Sequence, residues 1–163
     1  MSTPDHATIV VGIDGTEASR AALRWATRYA QHTPAPARVN AVAVWRLPST
    51  MAAPDGSGMV PLTSDADLEA QAWHWLDEAL EDLPPGSDGD AVTPTVEGGN
   101  PRDVLLERAS DAELLVLGNK SRGAIAGAIA GSVVQHCVHH ARCPVLLVPV
   151  DDVPTPEPTE SEE

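Results

Sequence analysis

Thr8-Ile9-Val10-Val11-Gly12-Ile13-Asp14-Gly15-Thr16 carries the chain out of an apolar, β-branched run, through a turn and into helical sequence. A short run that is apolar at nearly every position, rather than at every second one, is the pattern of a strand covered on both faces, as in a parallel sheet. Beyond the turn, Ala22, Trp25, Ala26, Tyr29 and Ala30 repeat at helical spacing, and Thr33-Pro34-Ala35-Pro36 stops the helix. A covered strand followed at once by an amphipathic helix is the repeating unit of an open α/β sheet.

The same alternation runs to the end of the chain. Val39 to Trp45 reads as a second strand. Residues 47–63, rich in Pro, Gly, Ser and Met, read as a long connection without structure of its own, a kind that is often functional. Leu68, Ala72, Trp75, Leu76, Ala79 and Leu83 mark one face of a second helix ended by Pro84-Pro85-Gly86. Residues 91–96 form a third strand, placed at a sheet edge because Pro94 has no N–H to donate. Asn100-Pro101 starts a helix, with Asn as its cap and Pro at its first position. Leu114 to Leu117 gives strand four, residues 132–141 a last helix, and Pro144 to Val148 strand five. The expected architecture is α/β, an open parallel sheet joined by right-handed crossovers. No internal repeat is visible, so residues 1–150 are expected to form a single domain. Residues 151–163, acidic and with three prolines, are expected to be a disordered tail.

Composition narrows the functions open to such a domain. The chain has 163 residues, 42% apolar, with no Phe and one Tyr, so Ala, Val and Leu must fill the core around Trp25, Trp45, Trp73 and Trp75. Trp73 and Trp75 are read as core and rim of the second helix. No run approaches the roughly 20 apolar residues that span a bilayer. Nor does a basic region precede an apolar run at the amino end. A cytoplasmic protein without membrane contact is expected. Cys137 and Cys143, six apart, do not have redox-motif spacing and are read as small buried hydrophobes. The net charge is −14; six of those negative charges follow Val150, leaving −8 on residues 1–150. An acidic body repels phosphate backbones, which excludes nucleic acid as a partner. An anionic ligand must be held by local backbone amides and a few basic side chains.

In an open α/β sheet the ligand site lies outside the carboxyl ends of the strands, where the strand order reverses. Gly12-Ile13-Asp14 and Leu117-Gly118 are expected to meet there. The second opens into a Gly- and Ala-rich segment that reaches Gly131-Ser132 at the start of the last helix. Glycines let N–H groups approach a phosphate, and a helix N-terminus adds partial positive charge. Spacing alone leaves a flexible connector equally open, since no Walker A loop and no dinucleotide fingerprint is present. Lys120 and Arg122 are either phosphate counter-charges or solvated loop charges. Asp14 serves either a sugar hydroxyl or the turn itself. Met51 and Met59 either cover a bound base or lie on the surface. His136, His139, His140 and Cys143 suggest a metal by their spacing, but imidazoles also suit a helix C-terminus, and no metal is assigned.

Gly118-x2-Ser121-x9-Gly131-Ser132 resembles the ATP motif of the universal stress protein family, G-x2-G-x9-G-[S/T]. The flanks agree: Val11-Gly12-Ile13-Asp14-Gly15, the run from Asp111 to Gly118, and the run from His139 to Pro149. The likeness covers roughly residues 6–150. It implies a five-stranded parallel sheet in the order 3-2-1-4-5 with helices on both faces, the adenine nucleotide alpha hydrolase-like arrangement, dimerised through strand five (144–149). It also implies ATP, with or without Mg²⁺, or else ADP or AMP. The residues matching Asp14 and Val44 would then hold ribose and adenine, and those matching Gly118, Gly131 and Ser132 the phosphates. Gly12, Ile13, Leu117, Ser121, Arg122 and Val133 complete the expected site. Ser121 departs from the motif glycine; if the position needs φ > 0, a side chain costs about 1 kcal/mol, or roughly fivefold in affinity. Its hydroxyl is also able to donate to a phosphate. No paired carboxylates or nucleophile–base pattern stands out, so no enzyme is expected, with slow ATP hydrolysis left open. The two functions carried forward are a nucleotide-binding regulatory dimer in the stress response and a nucleotide-free dimeric interaction protein, either with a further protein partner. Gly118, Gly131 and Ser132 favour the first, and Ser121 the second.

Overall fold

The computed structural model describes residues 6–46, 51–52, 56, 59–60, 64–87, 89–119 and 131–150. The expectations for Lys120, Ser121, Arg122 and the tail, and for the side chains of Met51 and Met59, lie outside these residues.

Five strands form one sheet: β1 (Ala7–Ile13), β2 (Ala37–Trp45), β5 (Val92–Gly98), β6 (Leu114–Asn119) and β7 (Val145–Pro149). Their order is β5-β2-β1-β6-β7 and every pairing is parallel. In chain order of these five strands that is 3-2-1-4-5, as expected. Pro94 does sit on an edge strand, β5, whose Thr95 hydroxyl donates to Asn40 Oδ1 on β2 at 2.8 Å.

Among the described residues four α-helices cover the sheet: α1 (Glu17–His32), α2 (Asp65–Glu81), α3 (Pro101–Arg108) and α4 (Ser132–His140). The near-continuous apolar strands follow from this. Ile9, Val11 and Ile13 of β1 pack with Ala22, Leu23 and Ala26 of α1 and Ala72 and Leu76 of α2. Val10 between them faces the other way, and packs with Val42, Leu115, Val104 and Leu105 of α3, and Cys137 of α4. Two apolar layers on opposite faces of one sheet are what period-two side chains require when both faces are covered.

The connection at 47–63 differs from expectation. It contains two strands of two residues each, β3 (Met51–Ala52) and β4 (Met59–Val60), paired antiparallel. Two residues hold no periodicity, so the sequence pattern could not reveal them. Trp75 is half-buried against the α1–α2 layer, whereas Trp73 is 42% exposed. Cys137 is buried and Cys143 half-buried, both as free thiols. Among the described residues no helix is long and apolar enough to cross a membrane.

Candidate functional site

β1 and β6 are neighbours, but the chain leaves them toward opposite faces: β1 leads into α1, and the chain beyond β6 returns as α4 under the other layer. The divergence opens a cleft of about 270 Å³ between their carboxyl ends. Gly12, Ile13 and Asp14 line it from β1, Leu117 and Gly118 from β6, and Val42 and Val44 from β2. Gly131, Ser132, Val133 and Val134 close it from α4, and Pro101 and Leu105 from α3.

Every described member of the expected site therefore lies around one cavity. Sequence reasoning missed Thr16, Ser19, Val42, Pro101, Leu105 and Val134, which line it too. Val42 was within reach, because it shares a strand face with Val44 by period two. Pro101 and Leu105 come from a helix whose start was legible but whose crossover over the cleft was not.

Three helix N-termini border the cleft and differ in how their leading N–H groups are satisfied. Thr16 caps α1, its hydroxyl accepting from the Ser19 N–H at 3.3 Å. Asn100 caps α3, its Oδ1 accepting from the Arg102 N–H at 3.1 Å. In α4 the cap is Gly131, at φ +92°, which has no side chain to cap the first turn, and among the described residues no other side chain does so. Ser132 is the first helical residue rather than the cap. The N-terminus of α4, uncapped by any described side chain, thus turns its partial positive charge to the cleft.

Asp14, at the opposite side, is exposed and serves the turn. Its Oδ1 accepts from the Thr16 N–H at 3.1 Å and from the Thr16 hydroxyl at 2.5 Å. The floor beneath is tight. A Cβ on Gly118 would stand 2.3 Å from the Ala18 carbonyl carbon and 2.7 Å from the Ser19 nitrogen, so β6 ends directly against the first turn of α1. Toward the far end of α4, His136 and His140 stack with ring centroids 4.2 Å apart. Among the described residues no three His, Cys, Asp or Glu side chains are grouped as a metal would need.

A doubly wound parallel sheet with an apolar-walled cleft at its switch point, bordered by one carboxylate and one glycine-capped helix among the described residues, defines a class of α/β domain. Within that class the chain belongs to the universal stress protein family, whose family model matches residues 6–149. It is 32% identical to universal stress protein Rv1996 of Mycobacterium tuberculosis over an alignment of 163 residues, which takes in 92% of this chain and 50% of that protein. The chain spans about half the length of the curated relatives it matches. Among solved structures it superposes on universal stress protein UspA from Lactobacillus plantarum with TM-score 0.61 at 19% identity, covering 90% of this chain and 99% of the other. It superposes on a universal stress protein from Archaeoglobus fulgidus in complex with dAMP with TM-score 0.58 at 20% identity, covering 88% and 98%. The fold is thus the adenine nucleotide alpha hydrolase-like one.

Proposed function

We propose that the cleft binds an adenine nucleotide, ATP first and ADP or AMP as alternatives, and that the chain is a regulatory dimer of the stress response rather than an enzyme. The observation that carries this reading is the glycine-capped N-terminus of α4 at Gly131, set across an apolar-walled cleft from the Asp14 carboxylate. The three parts match the three parts of a nucleotide. Val42 and Val44 offer an apolar wall to a flat base, Asp14 an acceptor to sugar hydroxyls, and α4 backbone donors and positive potential to phosphate. The dAMP held by a protein of the same fold supports it.

Asp14 is the one carboxylate among the described residues that line the cleft. Mg²⁺ would therefore arrive on the phosphates, as it does where it keeps most of its waters, rather than in a protein cage. A lone carboxylate already engaged by Thr16 also makes a poor general base, so turnover should be slow at most. The dimer would form through β7, which pairs within the sheet on one side only, with β6. The setting proposed is the cytoplasm.

Calorimetric titration of nucleotide-stripped protein with Mg-ATP tests the reading. A saturable isotherm near one site per chain is expected. A flat trace at high micromolar protein would overturn it in favour of the nucleotide-free interaction dimer, with Ser121 as the residue to revert to glycine.

A further inference from the structure

Among the described residues, Asp14, Thr16 and Ser19 are joined in a ring of hydrogen bonds. The Asp14 N–H donates to Ser19 Oγ at 3.4 Å, and the Ser19 hydroxyl donates to the Thr16 carbonyl at 2.8 Å. The Thr16 hydroxyl donates to Asp14 Oδ1 and accepts from the Ser19 N–H. A second Thr16 donor, its N–H, reaches the same Oδ1. An N-cap needs only one of these bonds. The others act on the carboxylate, holding its backbone and one of its oxygens and so fixing the plane of the group. Ser19 is 3% exposed, so the ring is anchored in the core rather than carried on a free loop.

Gly118 completes the arrangement from below. The Cβ it lacks would overlap the backbone of Ala18 and Ser19, the turn in which the ring is built. Any larger residue must push that turn, and Asp14 with it. Of the two motif glycines described, Gly131 has no described residue within 4 Å of its would-be Cβ, whereas Gly118 is pressed against α1.

We propose that Thr16, Ser19 and Gly118 are positioning residues for the Asp14 carboxylate, and that this cradle sets the preference of the cleft for nucleotides with sugar hydroxyls. The proposal rests on reading the cleft as a nucleotide site. It moves Gly118 from the phosphate end of the site to the sugar end. A carboxylate whose plane is fixed discriminates by direction as well as by charge, and positioned charged acceptors give the stronger hydrogen bonds.

The test is calorimetry with two probes, ATP and 2′,3′-dideoxy-ATP, on wild type, Thr16→Val, Thr16→Ser and Gly118→Ala, each checked for folding by circular dichroism. Wild type should prefer ATP by roughly tenfold or more, as expected for hydrogen bonds to a charged acceptor. Thr16→Val should bring ATP down to the dideoxy level while leaving dideoxy-ATP within about twofold, and Thr16→Ser should restore the preference. Gly118→Ala should behave like Thr16→Val where it folds. A Thr16→Val protein that keeps the ratio, or loses both ligands equally, would show that Thr16 serves only the helix cap and would overturn the proposal. Wild type binding both probes equally would overturn it while leaving the nucleotide site standing. Wild type binding neither would remove the nucleotide reading, and the cradle with it.

Discussion

A side chain at Gly131 would meet none of the described residues within 4 Å, yet the residue sits at φ +92°, where L side chains are strained. Alanine there should cost about 1 kcal/mol of stability, and a β-branched side chain more. Relieving the strain by rotating the peptide that opens α4 would turn its first N–H groups away from the cleft. Gly131→Val is therefore expected to abolish ATP binding while the sheet stays folded; unchanged affinity in the titration would remove α4 from the site. Cys137 shows the opposite kind of residue, one that its surroundings silence. Burial pushes its thiol up to about 11, with the Cys143 thiol adding to the effect. Thiolate is the reactive form, so native protein at neutral pH should leave Cys137 unmodified by Ellman's reagent until it unfolds. Rapid labelling of Cys137 would mean that the α4 layer opens readily.

The layers explain which elements were legible and which were not. β1, β2, β6 and β7 announce themselves as apolar runs because helices cover both their faces, and α1 and α2 by their stripes. Ends are less visible. β6 continues to Asn119 because Asn119 pairs with Pro149 across the sheet, a contact that no local pattern encodes. β5 runs on to Gly98 past the alternation at 91–96 for the same reason, since Gly98 pairs with Trp45. The strand ends and Gly131 of the site were read because they lie in or beside elements with strong patterns. Thr16 and Ser19 were not, because their role is to bond a neighbour five residues or fewer away. Leu76 of α2 is fully buried against β1 and β2, so Leu76→Ala should cost about 2–5 kcal/mol in chemical denaturation. A loss under 1 kcal/mol would mean that α2 is loosely seated. The same helix is tied to α1 by charge: Arg24 pairs with Asp82 at the C-cap of α2 and with Glu17 at 2.7 Å. The Arg24 hydrogen bond, opposed by partial desolvation and helped by Arg20, holds the Glu17 carboxyl below its ordinary value of 4.5. A depressed carboxyl contributes stability above its unfolded pKa, and that stability is lost as pH falls through the lower folded value. Acidification from pH 4.5 downward should therefore weaken the wild type more steeply than Glu17→Gln. The difference should be small because the pair is exposed, and parallel acid limbs in thermal melts would show that the bridge contributes nothing.

Charge acts at the scale of the whole molecule, and here it opposes the proposed ligand. The chain carries −14, and six of those charges follow Val150. Because β7 runs parallel to β1 and β6, its carboxyl end lies along the same edge of the sheet as the cleft, so those six charges are attached on the cleft side. A polyanionic nucleotide approaching that edge meets a repulsion that no single contact in the cleft reflects. Screening decides how far it reaches: about 30 Å at 0.01 M salt, about 8 Å at 0.15 M. Deleting residues 151–163 should then tighten Mg-ATP binding by about twofold to fivefold at low salt and leave it unchanged at 0.15 M, since only the long-range part of the field has been removed. The melting temperature should stay within error, because residues 151–163 carry no apolar residue beyond Val153 other than proline. An equal gain at both salt concentrations would instead place the tail in direct contact with the cleft, as a competitor for the phosphate end. A drop in melting temperature would make the tail part of the packed domain, and the boundary at residue 150 would have to move.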